Sequence, residues 1–308
     1  MGNIIDGIWD VCDKFIINEK GQHVSINDDA LIRLASDIKE NKMPTPLELM
    51  PKCFKEDSKD INYKILCYEI IACSINYQFW HGRHDIMHNG ACSKEVYKIL
   101  DDAFYFVEDE LCEHYGWSAC RNVIKIFSEW ISVARFPNTE NRVKHIKEVG
   151  VLIGDYGLGT IKHLVGEIVK KDLTIDQFLT IIITKLPGYA EDIFLKRAFL
   201  LVSMLYRRMG WFKDEIHLLP VPADYHLPKV LEGLGCLSYD YILSEKIQAS
   251  KIITTGSLEE CEIRACTMLA CKRLSELSGK SMSEVDEYLW LSSKDVDKPF
   301  HLTMTTNY

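Results

Sequence analysis

The run Leu218-Leu219-Pro220-Val221-Pro222-Ala223-Asp224-Tyr225-His226-Leu227-Pro228-Lys229 leads an apolar approach up to a single carboxylate. Pro220 and Pro222 keep the preceding chain extended. Asp224 then falls at or just before the start of a helix carrying Val230, Leu231 and Leu234. A carboxylate there caps the helix or works at a catalytic site, and one position can serve both ends. Lys196 and Arg197 interrupt an apolar stretch that includes Phe194, Leu195, Phe199 and Leu200. Such charges either snorkel to water or require a partner of opposite charge.

A second cluster is His81-Gly82-Arg83-His84-Asp85-Ile86-Met87-His88. On a helix, positions 81, 84, 85 and 88 share a face, and three imidazoles with a carboxylate suit a divalent metal. Gly82 disfavours helix at that point and Asn89-Gly90 ends it, so no metal site is expected. His81, directly after Trp80, reads instead as a pocket residue. The eleven cysteines contain no Cys-x-x-Cys pair. Cys261, Cys266 and Cys271 step by five residues, which turns successive side chains by about 140° on a helix. They scatter around it and read as buried thiols acting as small apolar groups.

The elements that must position these groups are helical almost throughout. Asn27-Asp28-Asp29 caps an apolar-periodic segment, and the stretch from Tyr63 to Tyr77 reads as a buried helix. Another helix starts at Ser93. Further helices are predicted near 117–134, 140–153, 158–170, 174–185, 190–209, 226–235, 240–247, 257–278 and 282–290. Strand-like patches are short, Gln22 to Ile26 and the tail from Leu302 to Thr305. No repeat and no low-complexity linker divides the 308 residues, so one compact, mainly α domain over 1–308, with room for two helical lobes, is expected. Lys and Arg number 36 against 45 Asp and Glu, a net charge of −9, which argues against a duplex nucleic acid partner. Met1 to Asp6 lacks the features of a secretory leader or a myristoylation signal, and no stretch nears the ~20 apolar residues of a membrane span. A reduced, cytoplasmic protein that binds no membrane is the expectation.

The run Ala223-Asp224-Tyr225-His226-Leu227-Pro228-Lys229-Val230-Leu231, with Leu234-Gly235 and Leu237-Ser238-Tyr239, resembles the queuosine salvage family, whose box is close to Ala-Asp-Tyr-Arg-Val/Leu-Pro-Gln. Ile75-Asn76-Tyr77-Gln78-Phe79-Trp80 is similar to that family's Leu-Asn-Phe-x-Phe-Trp block. Phe15-Ile16, His23-Val24, Ile26-Asn27, Pro187-x-Tyr189, Lys196-Arg197-Ala198, Glu260-x-Glu262-Ile263-Arg264-Ala265, Tyr288-Leu289-Trp290, Pro299-Phe300-His301 and Tyr308 extend the likeness in order along the chain. Residues 81–140 align little. The resemblance implies an all-helical fold related to helix-hairpin-helix DNA glycosylases. It also implies hydrolysis of the base–ribose bond of queuosine 5′-monophosphate or a related modified nucleotide, releasing a 7-deazaguanine base. Asp224 would be the catalytic carboxylate, since breaking an N-glycosidic bond builds positive charge on the sugar that a fixed carboxylate stabilises. Asn76, Phe79, Trp80 and His81 would meet the base, and Lys196, Arg197, His226, Lys229 and His301 the ribose and phosphate. No cofactor is called for.

The sequence departs from the family at His226, where the family has Arg, at Lys229, where it has Gln, and at Leu302, where a basic residue is usual. A second resemblance leaves another substrate open. Leu186-Pro187-Gly188-Tyr189 followed by Asp224-Tyr225-His226 is similar to the hairpin and Asp box of the DNA glycosylases themselves, which implies an enzyme acting on a modified base in DNA, as a glycosylase or a base-modifying transferase. The hairpin lacks its second glycine, and the separation to the Asp is longer than usual. No feature of the sequence specifies an oligomeric state.

Overall fold

The computed structural model describes residues 3–16, 23–40, 51, 53–54, 61–81, 93–110, 118–154 and 157–308. Its helices begin with α1 (Ile4–Ile16), α2 (Asp28–Glu40), α3 (Ile61–Ser74), α4 (Ser93–Glu110), α5 (Ser118–Val133), α6 (Thr139–Gly154) and α7 (Gly157–Lys170). They continue with α8 (Ile175–Lys185), α9 (Pro187–Ala190), α10 (Lys196–Met209), α11 (His226–Gly233), α12 (Tyr241–Gln248), α13 (Leu258–Ser278) and α14 (Met282–Ser292). The fold is mainly α, as the periodicity predicts. Among the described residues the one sheet has two strands, β1 (Val24–Ile26) and β2 (Leu237–Tyr239), antiparallel with Ser25 opposite Ser238. No described helix is long and apolar enough to cross a membrane.

Two largely buried helices organise the packing. In α3 every side chain from Ile65 to Ser74 is buried, and α4, α6, α7 and α10 pack around it. A helix that is apolar all round belongs in a core. The second is α13, whose neighbours are α1, α2, α11, α14 and β1. Its ends are set locally: the Ser257 side chain accepts the Glu260 amide, and Gly279 closes the last turn at φ 71°. The N-terminus of α14 carries a capping box of Ser281 and Glu284. Buried ion pairs lock helices together, notably Glu69 of α3 with Arg208 of α10.

Four segments depart from the periodicity reading. Residues 4–16 form an amphipathic helix that burying Ile5, Ile8 and Cys12 holds against α13. The predicted helix 63–77 ends at Ser74, because side chains from elsewhere capture the next carbonyls. The predicted helix 190–209 is broken: α9 stops at Ala190, Leu195 takes φ 51°, and α10 starts at Lys196. Asp192 causes the break, accepting the amides of Phe194 and Lys196 and so capping α10 from inside the gap. The tail forms no strand; Leu302 makes a single parallel bridge to Ile252.

The Leu186-Pro187-Gly188 turn shows how tightly α9 seats on α6. Gly188 donates its amide to Glu148 and gives its carbonyl to Arg197. A Cβ at this position would lie 2.8 Å from the His145 ring, which is itself held by Tyr77 and Arg197 and cannot retreat. Gly188→Ala should therefore cost about 1–3 kcal/mol through overpacking, despite the better helix propensity of alanine. Urea denaturation checks this, and an unchanged or higher midpoint would contradict the packing.

Candidate active site

The cleft is assembled from chain segments that leave or enter helices. After α3 the chain runs through residues 75–79 without regular structure, yet buried throughout. Its carbonyls are satisfied by cations. Arg142 of α6, fully buried, donates to the carbonyls of Ile75 and Tyr77, to Gln78 at 2.7 Å and, through Nε, to Pro137 at 2.8 Å. Its guanidinium also lies 4.4 Å from the Tyr77 ring centre and 5.0 Å from that of Phe79. Lys196, the first residue of α10, donates its ammonium to the Asn76 carbonyl at 2.9 Å and to Asn76 Oδ1 at 3.1 Å. Gln78 takes φ 32° and donates its amide to the Tyr308 carbonyl at 2.9 Å, tying the loop to the tail.

Asp224 faces this loop. It is half-buried, and Oδ1 accepts the His226 amide at 2.7 Å, so the carboxylate caps the first turn of α11. The preceding carbonyl, of Ala223, accepts from Arg264 Nε at 3.2 Å. Arg264 grips both oxygens of Asp192 at 2.7 Å, and each member of the pair is only 1% exposed. Its guanidinium packs 4.3 Å from the Tyr308 ring centre and 4.6 Å from that of Phe194.

Asn76, Tyr77 and Phe79 line one wall of the resulting cleft, Lys196 its floor, and Asp224, Tyr225 and His226 the facing wall, with Trp290 and Tyr308 completing it. The space enclosed is tight, a cavity of about 20 Å³, room for one water. Burial lowers the pKa of Lys196, with the negative charge of Asp224 opposing that shift. Burial likewise lowers the pKa of His226, against the same opposing charge, and so favours a neutral imidazole. The Asp286 carboxyl of α14 also senses Asp224. Burial pushes it up to about 6; Arg207 at 3.1 Å opposes the shift and the Asp224 charge adds to it.

The structure thus brings together Asp224, Asn76, Phe79, Lys196 and His226, and it directs the other expected residues elsewhere. Arg197 is buried beneath the loop, where its guanidinium bonds the Ser74 and Gly188 carbonyls, and it does not line the cleft. Trp80 turns into a packed cluster with Tyr225, Phe300, Leu302 and Tyr308. His301 sits behind Tyr308, bonded to its hydroxyl at 3.0 Å. Lys229 reaches the Ser293 carbonyl at 2.9 Å, one turn along α11 from the cleft. His81 is exposed and outside the lining. His84, Asp85 and His88 lie outside the described residues, among which no three His, Cys, Asp or Glu side chains gather as a metal ion would need. Tyr77, Tyr225, Trp290 and Tyr308 join the site unanticipated, although each stands in a segment that carries the family resemblance.

The cleft is thus built by helical packing around one half-buried carboxylate, a buried ammonium and several aromatic planes. The chain belongs to the queuosine salvage protein family, which it matches over residues 55–308. It is 27% identical to a Dictyostelium discoideum protein named queuosine 5′-phosphate N-glycosylase/hydrolase, over 93% of this chain and 94% of that one. Proteins of the same name from Sphaerobacter thermophilus and Mus musculus are 24% and 26% identical. The former alignment covers 94% of both chains, the latter 79% of this chain and 82% of its relative.

Two buried imidazoles make the folded state sensitive to acid. Burial depresses His301 to about 3, with Arg264 adding to the shift and Asp224 opposing it. His145 is likewise held down to about 3 by burial and by the cations Arg197, Lys144 and Arg142. The unfolded chain protonates both near 6.5, so between pH 6.5 and 3 it binds more protons than the folded chain, and stability falls as pH falls. Asp286 acts in the opposite sense between 3.8 and about 6, because its folded form binds the proton first. His301→Gln should make the loss of stability between pH 6 and 4.5 shallower by about 1.4 kcal/mol per pH unit. Urea midpoints across that range test it; an unchanged slope would count against a neutral buried His301.

Proposed function

We propose that the protein is an N-glycosidase that hydrolyses the base–ribose bond of queuosine 5′-monophosphate and releases the free 7-deazaguanine base. The observation that carries this reading is the convergence of Asp224 with Lys196, Asn76 and the aromatic walls in one cleft of a chain whose relatives bear that activity in their names. As the bond from C1′ to the base nitrogen lengthens, the sugar becomes oxocarbenium-like. Asp224, its carboxylate fixed by the His226 amide, stabilises that charge and orients the water that adds to C1′. The bonding electrons leave with the base, which takes up a proton. Phe79 offers a flat face to the base and Asn76 an amide to its edge. Lys196 and the neutral His226 are the cleft's candidates for ribose and phosphate contacts. The relatives' names favour a mononucleotide over a base in duplex DNA, and a small modified nucleotide in the cytoplasm is the partner this reading calls for. The mechanism uses no cofactor.

Incubation with queuosine 5′-monophosphate, followed by chromatography of the free base, tests the assignment. Wild-type protein should release base. Asp224→Asn should lower kcat by on the order of 10³-fold with an unaltered circular dichroism spectrum. Undiminished turnover in that variant, or no release by the wild type, would sink the assignment.

A further inference from the structure

We infer that Arg264 is a positioning residue for the cleft's carboxylate, acting on Asp224 through the Ala223 carbonyl and braced by Asp192. The inference rests on Asp224 being the acting group in the proposed hydrolysis. A buried Arg–Asp pair that served only to join helices would need no more than its two parallel bonds, both present at 2.7 Å. Here the remaining donor direction, Nε, ends on the peptide immediately before Asp224. The amide of His226 holds the carboxylate from the other side at 2.7 Å. Asp224 is therefore fixed from both directions along the chain, and the upstream contact originates in α13, a helix that contributes no residue to the cleft lining.

The same pair reaches two more walls. Asp192 accepts the amide of Lys196 at 2.8 Å, setting where α10 begins and hence where the Lys196 ammonium lies. The Tyr308 ring packs 4.3 Å from the guanidinium. A weaker contact from Glu260, 3.4 Å away, completes the shell. A lysine could keep the charge, but its single ammonium cannot bond both oxygens of Asp192 and the Ala223 carbonyl in one plane. Because Arg264 does not itself line the cleft, its loss should disturb the reacting geometry more than ligand affinity.

The test uses the full chain carrying Arg264→Lys, and a second variant, Asp192→Asn with Arg264→Gln, that removes both charges of the Arg264–Asp192 pair together. With queuosine 5′-monophosphate, both should show kcat lowered on the order of 10²-fold and KM little changed. In an Asp224→Asn background Arg264→Lys should bring no further loss, because the route through which it acts is gone. A readout independent of turnover is hydrogen exchange of the His226 amide, which should quicken roughly tenfold in Arg264→Lys while the Leu243 amide, capped by Asp240, stays unchanged. A wild-type kcat in Arg264→Lys, a full multiplicative loss on top of Asp224→Asn, unchanged His226 exchange, or failure of both variants to fold would each overturn the inference. Wild-type protein that releases no base, while His226 exchange still responds, would refute the hydrolase reading and leave the positioning intact.

Discussion

A buried segment without regular structure must still satisfy the carbonyls it carries, and residues 75–78 meet that demand with cations. Neither helix nor sheet is available to them, since α3 has ended and the only strands lie elsewhere among the described residues. Arg142 and Lys196 supply the donors for the four consecutive carbonyls of Ile75 to Gln78, and Arg197 bonds that of Ser74 just upstream. The rest of the cleft follows from this arrangement. Once the loop is pinned, Asn76 and Phe79 face Asp224, and the Gln78 amide captures the tail at Tyr308.

Using carbonyls rather than carboxylates to hold buried charge has an electrostatic consequence. Arg142 bonds carbonyls of the loop, and burial lowers its pKa to about 10, which still leaves it charged at neutral pH. Arg264 is the opposite case, its pKa raised by the Asp192 carboxylate against the effect of burial, and Asp192 is lowered in turn by the guanidinium. One cation therefore organises by many moderate dipoles, the other by one strong ion pair. The wall facing Asp224 is consequently positive in character, with Lys196 the cation that lines the cleft directly.

Periodicity made most helices legible because their cores are continuous and their caps local: Ser257, Ser281 and Gly279 act on neighbours a few residues away. The break between α9 and α10 was not legible in that way. Asp192 in sequence looks like one more polar residue on an apolar helix, and its role depends on Arg264, 72 residues later. Asp224 stood out because prolines and a helix start surround it. Arg197 illustrates a related point: a charge on an apolar face demands a partner, and in sequence a ligand's phosphate and a buried backbone carbonyl of the kind it bonds look alike. Trp290 and Tyr308 carried only their place in a family block, since their approach to the cleft is set by how α14 and the tail fold back.

The tightness of the cleft bears on which parts of it can yield. A pocket for a drug-sized ligand commonly measures ~300 Å³ or more, far above the roughly 20 Å³ enclosed here. Any nucleotide must therefore displace a wall. The loop 75–79 is tied by Arg142 and Lys196, and Asp224 is held between Arg264 and the His226 amide. Trp290 is different: it lies in the last turns of α14, 37% exposed, and the chain beyond that helix from Ser293 to Lys298 is largely exposed and without regular structure. Displacement there breaks the fewest buried hydrogen bonds, whereas displacement at Asp224 would break the contacts that orient it. The groups that would act on the sugar are thus preorganised, and the aromatic edge is where adjustment to the ligand costs least.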